Sequence, residues 1–430
     1  MIVGGVHALA WEAVNCGMIT VRTLFRTTQV VFSMVVSVGA LFAQVDVELP
    51  AAETRMSVAS GIVTRSLDAV KQAPLSVRTL DLSRQRLRDF PSEIVACENL
   101  TSLTLSNNEL ASLPDDLATL AQLRTIILTG NRFVRVPDVL TKMPWLQVLI
   151  MRNNEIRSLV PLSAITELAT LDLQGNPLDS IADDAFTGLK NLRVLDLSRT
   201  KLKRLPASVG GCSLLSDLRV SQASLTKLPQ SIGKLQALQT LDVSGNALTE
   251  LTDAILECSN LQSINVSKNK IKALPGGLYR LRTLQTLKAN SNLLTALPDT
   301  LTSTALRIIE VDSNKIVSVS PSIGMIVHLD RFSARNNLLS TLPTAIGQCK
   351  NLSILDVSGN RIVALPVAEL ANIPGLTRIT IANSEEAMKS KVPRGEMHND
   401  SSKVAPTVNE TSKQTLPTGK QQPMLKGKKP

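Results

Sequence analysis

The sequence predicts an α/β solenoid, a curved stack of about 13.5 short repeats with a parallel sheet along its concave side. Three observations carry that expectation. A 23-residue period runs from about Val77 to Ile381. Within it the frame L-x-x-L-x-L-x-x-N-x-L-x-x-L-P, plain from Leu100 to Pro114, returns thirteen times and begins a fourteenth. Aromatic residues number only ten in 430, as expected of a core built from leucine layers. Stacked units of this size offer a long surface and no enclosed pocket.

Taken in order, residues 1–55 form an N-terminal apolar segment. Thr27 to Val45 is a 19-residue uncharged stretch preceded by Arg22 and Arg26. Three readings fit it: a signal peptide cleaved after Ala43, a marginal membrane anchor, or an upstream stretch preceding a true start at Met56. The third is favoured by residues 56–74. There Val58, Ile62, Val63, Leu67 and Val70 fall on one side of a helix between Ser57 and Gln72, the kind of cap a repeat array needs over its first rung.

Residues 75–384 are the solenoid. The L-x-L pairs, such as Leu103/Leu105 and Leu241/Val243, alternate as a short strand with one buried face does. Leucines at three-residue spacing (Ile232, Leu235, Leu238) fill the return path. The asparagine position reads Gln85, Asn108, Asn131, Asn154, Asn176, Thr200, Ala223, Asn246, Asn269, Asn292, Asn314, Asn337, Asn360 and Ser384, at spacings of 22 to 24 residues. Its amide is expected to satisfy backbone groups where the chain turns inward. Thr200 and Ala223 break the series, so the weakest part of the array is expected between Lys201 and Leu228. Residues 385–430 are rich in Lys, Pro, Thr, Ser and Gln and read as a disordered basic tail. A helical turn from Ser384 to Lys391 is the only cover expected over the last rung.

These motifs resemble the leucine-rich repeat family from Leu75 to about Ser384. The recurrent N-x-L-x-x-L-P with P-x-x-I-G-x-L is similar to the 23-residue intracellular class of Ras-signalling scaffolds and the Scribble and erbin group. The resemblance implies a non-catalytic platform binding protein through its concave face, in intracellular signalling or cytoskeletal assembly. Partners in that family include small GTPases, phosphatase subunits and membrane-cortex proteins. A regulatory subunit of a phosphatase or GTPase complex is thus one further reading, and a secreted or membrane-anchored receptor ectodomain is the rival that Thr27–Val45 supports.

Cysteines speak for the cytoplasm. Cys97, Cys212, Cys258 and Cys349 share one repeat position where other repeats place Leu120 or Leu235, and are expected as small buried hydrophobes. The closest pair, Cys212 and Cys258, is two rungs apart, roughly 10 Å at strand spacing. That is too far for a disulfide, and the cysteine-rich caps of secreted relatives are missing.

No constellation for catalysis, a cofactor or a metal is expected. His7, His328 and His398 fall in three different regions, and phosphate-loop, Cys-x-x-Cys and G-x-S-x-G motifs are missing. Asp172, Asp196 and Asp242 recur on the strands, but the Arg219 rung separates the last two. The net charge of +10 places +4 in the tail and about +6 diffusely over the repeats, without a basic stripe or stacking aromatics, so nucleic acid is not an expected partner. Membrane association is open to Thr27–Val45, and the ending Lys426–Lys429 reads as a solvated basic tail, with a nuclear signal or a membrane-surface contact as its alternatives. Most outward strand positions are polar. Ile127 and Ile150, with Val148 beside them, break that pattern on neighbouring rungs, and the three are expected to form an exposed apolar cluster rimmed by Arg124 and Arg152, the centre of a protein-binding site.

Overall fold

The leucine frame dictates a backbone that returns to the same line every 23 residues, and the chain does so. The structure, a computed structural model, describes residues 63–301 and 305–381. The described chain divides into two compact units. One holds the residues up to Ile156 together with Ala164–Leu171; the other holds Arg157–Ser163 and the residues from Asp172 on.

In the first unit the strands Val63–Thr64, Thr79–Asp81, Ser102–Thr104, Thr125–Ile127 and Val148–Ile150 pair in parallel, each with the next. In the second unit the strands from Val194–Asp196 to Arg378–Thr380 pair in the same sequential way. Equivalent leucine positions stand opposite one another: Leu218, Leu241, Ile264, Leu287, Ile309, Phe332 and Leu355 form one row. A one-residue slip would put this row on the solvent face, so the pattern fixes the register. Every side chain in that row is fully buried.

The return path is a 3-10 turn, as in Asp115–Thr119 and Gln230–Lys234, which buries Leu117 and Ile232 respectively. Proline caps these turns at Pro114 and Pro229, where the missing N–H costs nothing. The glycine of I-G-x-L has a packing reason. A Cβ on Gly233 would lie 2.7 Å from the Ala254 carbonyl oxygen, and one on Gly347 would lie 2.8 Å from that of Glu369. Neighbouring turns stack backbone on backbone there.

The asparagines act as a ladder. Asn269 donates to the carbonyls of Val243 at 3.0 Å and Val266 at 2.9 Å, and its carbonyl accepts the Leu248 amide at 3.0 Å. Asn131, Asn292 and Asn337 repeat this arrangement. At the two interruptions the pattern fails. Thr200 donates only to its own rung, to the Leu197 carbonyl at 2.9 Å, and Ala223 offers nothing. The amides of Leu178 and Leu202 therefore face no side-chain acceptor of the kind that serves Leu225, Leu248 and Ile271.

The N-terminal cap departs from expectation. Val63 lies in a strand that adds a rung to the sheet, and the helix is only Leu67–Gln72, capped by Ser66 and burying Val70. Parallel pairing with Thr79 satisfies the Val63 backbone, which a helix end would leave open. Residues 57–62, the apolar stretch Thr27–Val45 and the tail from 385 lie outside the described residues, as does the turn expected after Ser384. Among the described residues no helix is long and apolar enough to cross a membrane.

Candidate protein-binding face

A strand in this fold turns its leucines inward and its alternate side chains outward, so the strand face is where sequence variation is displayed. In the first unit that face holds a polar depression of about 620 Å3, lined by Arg65, Asp81, Ser83, Arg84, Thr104 and Ile127 among others. Arg65 and Asp81 approach to 3.8 Å across its mouth, with the Arg65 side chain 74% exposed. Asp81 is held in place because its carboxylate accepts the Ser83 hydroxyl at 2.5 Å and the Ser83 amide at 3.0 Å. Arg84 adopts a positive φ of 60° at the turn after this strand. That conformation strains an arginine, which glycine would relieve at this step as it does at Gly130.

The expected apolar cluster is present in register, with Ile127 opposite Ile150 and Thr125 opposite Val148. Its exposure is not as expected. Val148 and Ile150 retain only 5% and 2% of their surface. Of the three, Ile127, which lines the polar depression, stays half-exposed. The two arginines also differ from a rim. Arg124 turns back to donate to the Ala121 carbonyl at 2.8 Å, so its charge belongs to the turn before the strand. Arg152 is half-buried in the turn after the strand, where its backbone carbonyl accepts the Gly130 amide at 2.8 Å. Sequence reasoning missed Arg65 and Arg84 as face residues: Arg65 precedes the recognisable repeats, and Arg84 is outside the strand positions that alternation marks.

The second unit displays Arg219, Asp242, Asn265, Lys288 and Glu310 half-exposed on successive strands. Asp172 and Asp196 are the exceptions, at 1% and 3% exposure. Burial first, and the Asp172 charge second, hold the Asp196 carboxyl above its ordinary range, against the stabilising Ser198 amide. Among the described residues no three His, Cys, Asp or Glu side chains are placed to hold a metal. His328 lies in the array, and His7 and His398 are outside the described residues.

The four described cysteines are buried free thiols. Burial pushes Cys212 up to about 12 and Cys258 and Cys349 up to about 11, so none is a nucleophile at neutral pH.

Comparison with known proteins agrees with this geometry. A model described as a leucine-rich repeat matches residues 66–208, and one described as a leucine-rich repeat region matches residues 189–315. Among curated proteins, none matches the chain. The fold is similar to an internalin (inlF) of Listeria monocytogenes, at 20% identity and a TM-score of 0.64, over 73% of this chain and 89% of that one. It is similar to a leucine-rich repeat protein of Leptospira interrogans, at 24% identity and a TM-score of 0.56, over 74% and 100%. It is also similar to a chain in an octameric complex of Latrophilin 3, Unc5D and FLRT2, at 22% identity and a TM-score of 0.54, over 63% and 87%.

Proposed function

Since the repeat region of this chain belongs to the leucine-rich repeat family, we propose that the protein is a non-catalytic scaffold that binds a protein partner through its strand face. We place that role in intracellular signalling or cytoskeletal assembly, in the cytoplasm. The observation that carries the reading is the depression at Ile127. It pairs one accessible aliphatic side chain with two guanidinium groups and a carboxylate, on a face whose opposite side is wholly committed to the core. Such a mixed site suits a protein surface that presents an apolar residue beside a carboxylate. Arg124, on the rung of Ile127, and Val148, Ile150 and Arg152, on the next, support this site.

The burial of Ile150 determines the test. Glutamate at position 150 would unfold the rung, so the informative variant is Ile127→Glu combined with Arg84→Glu. A photo-crosslinker at position 127 should trap a partner in native cells, and one at Tyr279, exposed on a 3-10 turn, should not. The double variant should lose the adduct while keeping its thermal unfolding. Equal adducts at both positions, or an adduct that survives the double variant, would contradict the proposal.

The rival reading, an exported ectodomain, is favoured by Thr27–Val45. The mass of the native N-terminal peptide separates the two: a start at Met56 or Ser57 supports the cytoplasm, and one near Gln44 supports export.

A further inference from the structure

Averaged over repeats the charge looks diffuse, but the fold sorts it. In the second unit each rung before the last leaves its strand through a residue of positive φ: Gly175, Arg199, Gln222, Gly245, Lys268, Ser291, Ser313, Asn336 and Gly359. The nine turn segments that begin there, each eight residues long, form one edge. They carry ten Lys and Arg against two acidic residues, Asp179 and Glu250. The corresponding strands with their two following residues carry seven acidic side chains against four basic ones. The positive excess of the unit therefore lies on the turn edge and not on the strand face.

On this edge Lys201, Lys203, Lys227, Lys268, Lys270 and Lys272 are all exposed. Among the described residues none of the six is paired with a carboxylate, whereas Arg204 beside them is bridged to Asp183 at 2.9 Å. The turn edge of the first unit is treated differently: Glu109 neutralises Arg88 at 3.3 Å and Arg132 at 2.9 Å. Alternation in the turn explains the display. Leu202 and Ile271 are buried, and the lysines on either side of each point outward. Further along the same edge Val317 and Val363 are 54% and 58% exposed.

We infer that this turn edge is a docking surface for an anionic lipid bilayer. Rungs repeat at about 4.8 Å, so the edge presents ammonium groups along a line, in reach of a plane of headgroups. Lysine is a point charge without the bidentate geometry that selects a fixed phosphate, which suits a fluid surface. The exposed valines add aliphatic contact at the headgroup boundary. The described aromatics of this unit are elsewhere: Phe186 and Phe332 are in the core and Tyr279 is on the 3-10 side, so the edge offers no platform on which nucleobases could stack.

The test is co-sedimentation of the full chain with phosphatidylcholine vesicles with and without phosphatidylserine. Binding should require phosphatidylserine and weaken as salt is raised. The variant Lys268→Glu/Lys270→Glu/Lys272→Glu should partition at least about tenfold more weakly. Its thermal unfolding should be unchanged, since all three side chains are exposed. Ile127→Glu with Arg84→Glu should bind vesicles as the parent does, which separates this surface from the strand-face site. Undiminished binding by the triple lysine variant would overturn the inference. So would lack of vesicle binding by the parent, or binding of polyuridylate in its place.

Discussion

Two stretches of the second unit share one leucine core and differ in their polar ladder. Between Leu241 and Leu297 the asparagines at 246, 269 and 292 each tie their own rung to the one before. Between Lys201 and Leu228 no asparagine does so, since position 200 is threonine and position 223 is alanine. The leucines do not register the change: Leu197, Leu218, Val220 and Leu225 are as fully buried as Leu241, Val243, Ile264 and Val266. Apolar stacking holds the rungs together in both stretches, while the ladder decides how readily the turns open. A solenoid can therefore be loosened locally without a cavity.

Removing the ladder where it is intact should have the largest effect. Asn269→Ala deletes four hydrogen bonds and should cost about 3 kcal/mol in denaturant unfolding, whereas Thr200→Ala, which loses one, should cost about 1 kcal/mol. Comparable losses would break the contrast. Building the ladder where it is missing is the converse. Ala223→Asn offers the Leu202 amide an acceptor and should gain about 1 kcal/mol.

Thiol labelling compares the same stretches by another route. Cys258 is pushed up to about 11 and Cys212 to about 12, so acidity alone favours reaction at Cys258. We expect Cys212 to label faster with iodoacetamide at pH 8, because its stretch opens more readily. In both, the buried thiol resists ionisation while the unfolded one ionises near pH 9, so their contribution to stability falls as pH rises from about 9 towards 11.

The smallest effect concerns Asp196, just before the interrupted stretch. Its raised carboxyl pKa means the folded state keeps the proton to higher pH than the unfolded one does, so this residue lowers stability as pH rises through its folded value. Asp196→Asn keeps the acceptor for the Ser198 amide and should raise the melting temperature at pH 7. The gain should vanish at a pH below the ordinary aspartate range, where the parent is neutral too.

Much of this was legible in the residues. The L-x-L alternation specified the inward row, the asparagine series specified the ladder and its gap, and the shared cysteine position specified buried, unbridged thiols. What escaped has physical causes. Alternation tells which face Val148 and Ile150 occupy and that Ile127 stands one rung away, but not how little surface the packing leaves to Val148 and Ile150. Apolar residues at 58, 62, 63, 67 and 70 match a helix period, and only pairing with Thr79 reveals Val63 as a strand. The lysine edge escaped because a charge summed per repeat ignores which turn position carries it.

The most direct test of the ladder account is native-state hydrogen exchange resolved to peptides of residues 201–228 and 241–297. The account predicts faster exchange in the first, with the Leu202 amide ahead of that of Leu248, and a difference that shrinks in Ala223→Asn. Equal protection in the two stretches of the parent would show that the leucine core alone sets local stability, and the account would be wrong.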